Sequence, residues 1–174
     1  HDVDGLVELM GGRDAFIGKL DSLFTADSKL EGESTSVDIS GLIGQYAHGN
    51  EPSHHIAHLY NYVGQPWRTQ EIVDEVLHTL YFNNPDGLSG NEDCGQMSAW
   101  YILNAMGFYQ VCPGKPVYSI GRPLFNEATV HLKDGKSFKV IAHNNSRDNK
   151  YVRSIVLNGN KLETPFFTHQ DIVE

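Results

Sequence analysis

The hydrophobic pattern of the chain changes near Gly107, and this change limits the possible folds more than any other feature. Before Gly107, apolar residues recur about every 3.6 positions, the period of a helix with one buried face. After it, apolar and polar residues alternate in short runs, which is typical of strands. The pattern therefore predicts an α+β fold, with a helical part over residues 1–110 and an antiparallel β segment over residues 111–174.

The first part is predicted to contain several helices. They begin at Asp14, at Ser53, near Pro66 and at Gln96. The segment 96–106 is apolar almost all round, which is typical of a helix buried on several sides in a larger helical assembly. Irregular loops are predicted over residues 28–50 and 83–95. Long loops inside a compact domain are often functional, so these two loops are the first places to look for a site.

The second part is predicted to contain two hairpins. Residues 129–132 and 137–142 flank a Lys-Asp-Gly-Lys turn, and residues 155–157 and 160–162 flank an Asn-Gly turn. Asp-Gly and Asn-Gly favour the tight turns that join antiparallel strands. We therefore expect each pair of runs to form a two-stranded ladder.

The charge of the chain restricts its partners. There are 13 Lys+Arg and 22 Asp+Glu, a formal net charge of −9, which argues against nucleic acid or an anionic membrane. No apolar run is long enough to span a membrane. The first residues do not have the charged and apolar pattern of a signal peptide, so we expect both ends to be cut rather than native.

The cysteines do not predict a disulfide framework. Cys94 and Cys112 could form a single bridge, and their spacing fits no CxxC motif. Two buried free thiols are the favoured interpretation.

Two loops contain the same Gly-Asn-Glu sequence directly before a predicted helix. They lie at residues 49–51 and 90–92, and Asp93 follows the second one. Calcium binds about 6–8 oxygen ligands of this kind, and glycoside hydrolysis uses paired carboxyl groups. Helix capping is the competing interpretation, because Asn, Asp and Glu are favoured at helix starts. The repetition of the pattern weakens that interpretation and leaves both open.

Three histidines follow the first of these loops. His54 and His58 are spaced i, i+4 as in some zinc sites, with His55 between them. The glutamate of an HExxH motif and a third ligand at suitable spacing are missing, so zinc is disfavoured. Neutral histidines that bind sugar hydroxyls, or buried histidines with satisfied hydrogen bonds, are favoured instead.

Two tryptophans offer aromatic faces on which a sugar could stack. Trp100 lies in the all-round apolar segment and is predicted to pack in the core. Trp67 follows Gly64-Gln65-Pro66 at a helix start, and here a core role and a sugar-binding role are both open.

Five ordered stretches resemble glycoside hydrolase family 92. They are GNEPSHH at 49–55, YNYVGQPW at 60–67, GNEDCGQMSAWY at 90–101, GFYQVCPG at 107–114 and YSIGRPLF at 118–125. The resemblance covers nearly the whole chain. It implies the C-terminal piece of a calcium-dependent, inverting exo-α-mannosidase that removes terminal mannose from glycans, often from α-1,2 linkages. It also implies a fold in which the last helices of an (α/α)6 barrel precede a small antiparallel β segment.

The same resemblance assigns roles to residues of the two loops. Asp93 is the first choice for the general base and Glu92 the second. Asn50 and Glu51, with Asp93 or its bound water, are implied ligands of Ca²⁺, which would hold two mannose hydroxyls. The implied substrate-binding residues are His54, His55, Trp67, Asn91 and Gln96. Asn91 replaces an aspartate found in some relatives, and the general acid of the family lies upstream of the matched stretches.

The resemblance also implies partners and a location. The partners are a mannose-containing glycan and the remainder of the same enzyme chain, without nucleic acid and without a membrane span. The isolated piece is expected to be inactive and to self-associate through apolar surface that a full barrel would cover. Because the substrates are external glycans, the enzyme is expected to be secreted, periplasmic or bound to the cell surface.

Two other functions fit parts of the pattern. A non-catalytic carbohydrate-binding module would explain the aromatic residues and a calcium site, but such modules are usually all-β. A helical-barrel glycosidase with another sugar preference would explain the helices and the carboxylates. Release of free mannose would distinguish the mannosidase from both.

Overall fold

The helices of the chain lie mainly in its first two thirds. The computed structural model describes residues 1–31, 36 and 38–174. Within these residues the helices are α1 (Val3–Leu9), α2 (Arg13–Thr25), α3 (Leu59–Tyr62), α4 (Pro66–Thr79), α5 (Gln96–Met106) and α6 (Gln170–Val173). Residues 32–35 and 37, which belong to the predicted loop 28–50, lie outside the described part of the chain. None of the described helices is long and apolar enough to cross a membrane.

The strands form small antiparallel sheets. They are β1 (Leu42–Ile43), β2 (Tyr46–Ala47), β3 (Phe108–Tyr109), β4 (Val117–Ile120), β5 (Glu127–His131), β6 (Ser137–Ile141), β7 (Ile155–Leu157), β8 (Asn160–Leu162) and β9 (Phe166–Thr168). β5 pairs with β6 and β7 with β8, as the two turn sequences predicted. β4 lies between β3 and β9 in a three-stranded sheet. β1 and β2 pair inside the loop predicted to be irregular.

The helix predicted to begin at Ser53 is wrong in its first turns. The segment forms two 3-10 turns, Glu51–Ser53 and Ile56–His58, before α3 begins at Leu59. The His54 N–H donates to Glu51 O and the His58 N–H to His55 O, three residues back instead of four. The rings of His54 and His58 are bound by other elements, and these bonds favour tight separate turns over one continuous helix.

The core lies between α2, α3, α4 and α5. Trp100 is fully buried at its centre, and its indole N–H donates to His54 O at 3.0 Å. The other fully buried side chains include Tyr46, Tyr60, Val73 and Val76. The expectation that α5 is buried on several sides holds for only part of the helix, because Ile102 is 56% exposed. Self-association through such a surface stays a prediction.

Buried hydrogen bonds attach the three-stranded sheet to the helices. His58 Nδ1 lies 3.0 Å from Ser119 Oγ, and His58 Nε2 lies 2.8 Å from Asn104 Oδ1. Asn61 donates to the same Ser119 Oγ at 2.7 Å and to Ile120 O at 2.8 Å. Gly107 ends α5 with φ 99°, so β3 begins at once and places Tyr109 beside the core.

Candidate active site

The two Gly-Asn-Glu loops meet at their glycines. A Cβ at Gly90 would lie 3.0 Å from Gly49 O, and Gly90 has φ 72°. A Cβ at Gly49 would lie 2.3 Å from Ser40 Oγ and 3.1 Å from Ser89 O. Glycine is therefore required at both positions for the backbones to approach. The repeated sequence thus has a structural reason, since each glycine places the amide and carboxylate that follow it beside the other loop.

The loop before α5 has an unusual backbone. Asp93, Cys94 and Gly95 all have positive φ, at 54°, 56° and 100°. Non-glycine residues in this conformation cost about 1–2 kcal/mol each relative to the right-handed form. Such strain persists only where surrounding contacts hold it, and it is found most often at functional sites.

Glu92 supplies the contacts that hold this loop. Its carboxylate accepts hydrogen bonds from the Gly95 N–H, from the Ser98 hydroxyl at 2.7 Å and from the Ser98 N–H at 3.3 Å. These bonds, the Ser98 hydroxyl above all, lower the pKa of Glu92. The capping interpretation is therefore confirmed for Glu92, whose two carboxylate oxygens both accept hydrogen bonds from the start of α5.

Asp93 lies among other carboxylates. Its partial burial raises the pKa of its carboxyl group, and the negative charges of Glu51, Asp38 and Glu92 raise it further. Glu51 is the last residue of the first Gly-Asn-Glu loop and Asp93 directly follows the second, so the meeting of the glycines brings the two carboxylates together. A carboxylate with a raised pKa is a better proton acceptor, which is what a general base requires.

Asn91 and Asp38 fix the relative position of the loops. Asn91 Nδ2 donates to Asp38 Oδ1 at 3.1 Å across 53 residues of sequence. Sequence reasoning missed Asp38, because it lies in a stretch of Ser and Gly residues without periodicity. Ser40 Oγ, close to Gly49 and Gly90, is buried and has no partner among the residues that the structure describes.

His54 and Gln96 lie directly behind the acidic loop. His54 is 1% exposed, and its Nε2 lies 2.9 Å from His48 O. Its Nδ1 lies 3.0 Å from Gln96 Nε2, and the same Nε2 lies 3.0 Å from Tyr109 Oη. Burial lowers the pKa of His54, although the nearby charge of Asp93 opposes this. His54 is therefore positioned to orient Gln96, while Gln96 itself is only partly buried.

His48 is a second buried histidine that sequence reasoning missed. Its Nδ1 lies 2.9 Å from Tyr46 Oη and its Nε2 lies 2.7 Å from Tyr81 Oη, and its ring stacks on His54 with centroids 4.6 Å apart. Burial lowers the pKa of His48 to about 3. The Tyr-Ala-His alternation at 46–48 was the one available signal, since it places Tyr46 and His48 on the same side of a strand.

The remaining predicted residues are placed as follows. Asn50 and Glu51 are exposed in the first loop, and His55 is partly buried beside them, with a pKa lowered by burial. Trp67 is 46% exposed in the first turn of α4, and the hydrogen bonds and aromatic contacts of the described residues do not bring it to the loops. His54 and His58 do not share a ligand, because protein partners occupy both rings.

No group of three or more His, Cys, Asp or Glu side chains that could hold a metal ion is found in the described part of the chain. Cys94 and Cys112 are free thiols, and Cys94 is exposed rather than buried as the sequence had suggested.

Comparison with known proteins shows what this arrangement resembles. The family model described as the glycosyl hydrolase family 92 catalytic domain matches residues 1–174. One similar structure is a family GH92 alpha-mannosidase from Bacteroides thetaiotaomicron in complex with mannoimidazole. Its sequence is 44% identical to this chain and the TM-score is 0.85. The match covers 92% of this chain and 21% of the mannosidase chain. A second is a family GH92 inverting mannosidase from Bacteroides thetaiotaomicron VPI-5482, which is 45% identical to this chain with a TM-score of 0.82. That match covers 99% of this chain and 24% of the mannosidase chain.

A relative with lower sequence identity is a secreted glycosidase. An uncharacterized secreted glycosidase from Arthroderma benhamiae is 28% identical over 173 residues, which are 98% of this chain and 20% of that protein. The chain therefore spans about a fifth to a quarter of the length of the relatives that it matches. The mixed helix and strand fold is shared with the two bacterial structures.

Proposed function

Since the chain belongs to glycosyl hydrolase family 92, we propose that it forms part of an exo-acting α-mannosidase that releases terminal mannose from glycans. The observation that carries the proposal is the meeting of two Gly-Asn-Glu loops, which puts the half-buried Asp93 beside Glu51 and Asp38. The two bacterial relatives support it, since both are mannosidases.

Asp93 is proposed as the general base of an inverting reaction. In such a reaction the base takes a proton from the water that attacks the anomeric carbon, and the acid lies about 6.5–9.5 Å from the base. Asp93 is preferred to Glu92, because the Glu92 carboxylate is occupied by Ser98 and Gly95 whereas Asp93 has a raised pKa. The general acid is proposed to come from outside this chain.

A calcium site is proposed at the same place. The side chains of Asn50 and Glu51 offer oxygen donors, with Asp93 or its bound water as a further contact, which suits a hard cation. Burial and the negative charges of Glu51, Asp38 and Glu92 raise the pKa of Asp93, and a divalent cation relieves such a concentration of negative charge. These donors are fewer than the usual ligand number, so carbonyl oxygens, waters and sugar hydroxyls would complete the set. When bound, calcium would hold and orient two sugar hydroxyls.

We also propose an architecture, a linkage preference and a cellular location for the enzyme. We propose that residues 1–110 belong to the last helices of an (α/α)6 barrel and residues 111–174 to a following β segment. The favoured substrates are α-1,2-linked mannosides of external glycans, with His55, Trp67, Asn91 and Gln96 toward the sugar. The secreted relative supports a secreted, periplasmic or cell-surface enzyme.

The test uses Asp93→Asn in the longer enzyme that contains this chain. We expect turnover of an aryl α-mannoside to fall by about 10²–10⁴-fold, the usual contribution of a general base. Calcium affinity measured by calorimetry should stay within about tenfold, equal to ~1.4 kcal/mol. The matched control is Asp148→Asn, which changes an exposed carboxylate elsewhere on the surface and should leave turnover unchanged.

Two results would change the assignment. Loss of turnover together with loss of calcium would move Asp93 to the metal site and leave Glu92 as the remaining base candidate in this chain. Near-normal turnover of Asp93→Asn would overturn both roles. A wild-type enzyme that releases no mannose would overturn the proposed function itself.

A further inference from the structure

The hydrogen positions around His54 follow from its partners. The backbone carbonyl of His48 can only accept, so the hydrogen in the 2.9 Å contact belongs to His54 Nε2. The ring is 1% exposed and stacked on the ring of His48, an environment that favours the neutral form. In neutral imidazole only one nitrogen carries a hydrogen. His54 Nδ1 is therefore an acceptor.

This acceptor fixes the orientation of the Gln96 amide. The group 3.0 Å from His54 Nδ1 must be a donor, so it is Nε2 and not Oε1. The second hydrogen of Nε2 is donated to Tyr109 Oη at 3.0 Å. Both amide hydrogens of Gln96 are thus used inside the protein.

Two complementary polar groups are left over. Gln96 Oε1 lies on the other side of the amide carbon from Nε2 and has no hydrogen-bond partner in residues 1–31, 36 and 38–174. Tyr109 Oη accepts from Gln96, and within the same residues its own hydrogen has no acceptor. One group is a free acceptor and the other a free donor, and the donor lies 3.0 Å from the nitrogen of the amide that carries the acceptor.

The pair borders the acidic loop. Gln96 is the first residue of α5 and follows Asp93–Gly95 directly, and the charge of Asp93 acts on the His54 ring that Gln96 contacts. A sugar hydroxyl is both a donor and an acceptor, so it can donate to Gln96 Oε1 and accept from the Tyr109 hydroxyl. We propose that Gln96 and Tyr109 together bind one substrate hydroxyl, and that His54 is the positioning residue that sets the direction of both hydrogen bonds.

The proposal rests on the proposed mannosidase function and adds Tyr109 to the site. It also changes the role of His54, which acts through Gln96 and does not touch the sugar. Reversal of the Gln96 amide would turn Nε2 outward and bond the Tyr109 hydrogen to Oε1. The substrate hydroxyl would then lose its acceptor on Gln96 and its donor on Tyr109, and could only accept from Nε2. His54 therefore controls the polarity of the pair.

The binding of a substrate hydroxyl by Gln96 and Tyr109 is tested with Tyr109→Phe and Gln96→Met in the longer enzyme. With an aryl α-mannoside, each variant is expected to lose about tenfold to a hundredfold in kcat/KM, as for removal of a buried hydrogen bond. The same variants are then assayed on mannosides that each lack one hydroxyl. On the analogue that lacks the bound hydroxyl, both losses should shrink to less than about threefold, because the partner is already gone.

Equal losses on every analogue would overturn the proposal, since that is the result of a structural role. A variant with wild-type kcat/KM would also overturn it. The matched control is Tyr118→Phe, which removes a tyrosine hydroxyl 3.1 Å from His169 in the sheet and should leave kcat/KM unchanged on all substrates.

The positioning role of His54 is tested without an activity measurement. In enzyme labelled with ¹⁵N-histidine, the His54 signal, assigned by its shift in Gln96→Met, should show an unprotonated Nδ1 and a protonated Nε2. A protonated Nδ1 would overturn the proposal even in an active mannosidase. If His54 has the expected tautomer but the wild-type enzyme does not act on α-mannosides, the proposed function is overturned. The binding of a substrate hydroxyl by Gln96 and Tyr109 is then overturned as well.

Discussion

Asp93 is held in a backbone conformation that non-glycine residues rarely adopt, and Cys94 shares it. The loop keeps this conformation because Glu92 binds Ser98 and Gly95 on one side and the Gly49–Gly90 contact closes the other. The strained residue is also the one whose pKa is raised, by burial first and by the neighbouring carboxylates as well. Strain and crowded charge at one residue are the features expected of a site kept for chemistry rather than for stability.

The glycine contact gives a first prediction. Gly49→Ala should lower the free energy of unfolding by about 1–3 kcal/mol, because its Cβ would lie 2.3 Å from Ser40 Oγ and 3.1 Å from two carbonyl oxygens. Urea unfolding measures the change. Gly114→Ala is the control, since a Cβ there meets nothing within 4 Å and should change stability little. Equal stability of both variants would show that the loops do not approach as described.

The buried histidines give a second prediction. Burial lowers the pKa of His48 to about 3 and that of His58 to about 4, whereas both take an ordinary value near 6.5 in the unfolded chain. Between about pH 6.5 and pH 4 the unfolded chain therefore binds more protons. The stability that these rings contribute is complete above pH 6.5 and is lost as the pH falls through this window, by about 1 kcal/mol per pH unit for each histidine.

Urea unfolding at a series of pH values measures this slope. His48→Gln should remove one histidine's share of it. His143→Gln, at an exposed position, should leave the slope unchanged. A stability that does not vary between pH 7 and pH 5 would contradict the neutral, buried state of both rings.

At the scale of elements, the Ser119 hydroxyl links β4 to both α3 and α5, beside the direct bond from Asn61 to Ile120 O. Ser119 Oγ lies between His58 Nδ1 and Asn61 Nδ2, and His58 in turn bonds Asn104 of α5. Because Asn104 Oδ1 can only accept, His58 Nε2 carries the hydrogen and Nδ1 accepts from Ser119. The strand and the two helices are thus joined by a chain of directed bonds inside the core.

Ser119→Ala gives a third prediction. It leaves His58 Nδ1 buried without a donor, so the free energy of unfolding should fall by about 1–3 kcal/mol. Chemical denaturation measures the loss. Ser154→Ala, at an exposed position, is the control and should fall within about 0.5 kcal/mol of wild type. A loss no larger than the control's would show that the attachment depends on the apolar contacts instead.

At the scale of the whole molecule, the chain builds a core around Trp100 and still leaves apolar side chains on its surface. Ile102 on α5 is 56% exposed and Phe82 is 59% exposed. The relatives are four to five times as long, since this chain spans 20% to 24% of them. Surface of this kind suits a piece that packs against further parts of the same enzyme, and self-association of the isolated chain stays a prediction.

A fourth prediction follows from the proposed general acid outside the chain. The purified 174-residue chain should release no mannose from an aryl α-mannoside, with or without added calcium, because loss of the acid alone removes about 10²–10⁴-fold in rate. Release of free mannose is measured directly, with the longer enzyme as the positive control. Calcium-dependent release by the isolated chain would overturn this prediction and place both catalytic groups inside it.

Local features of the sequence determined the elements whose contacting residues are close together along the chain. The β5–β6 and β7–β8 hairpins, the end of α5 at Gly107 and the loops at 49–51 and 90–92 followed from period and turn chemistry, because neighbours along the chain set those conformations. The site residues implied by resemblance came from the same stretches of sequence.

Only the tertiary structure decided what those residues contact. Asp38 meets Asn91 across 53 residues and His54 meets Gln96 across 42, so no local pattern marks these contacts. The same holds for the broken helix after Ser53, where long-range bonds from His54 to Gln96 and from His58 to Ser119 outweigh helical propensity. Directed hydrogen bonds between distant segments depend on three-dimensional packing, and packing is what one-dimensional periodicity does not encode.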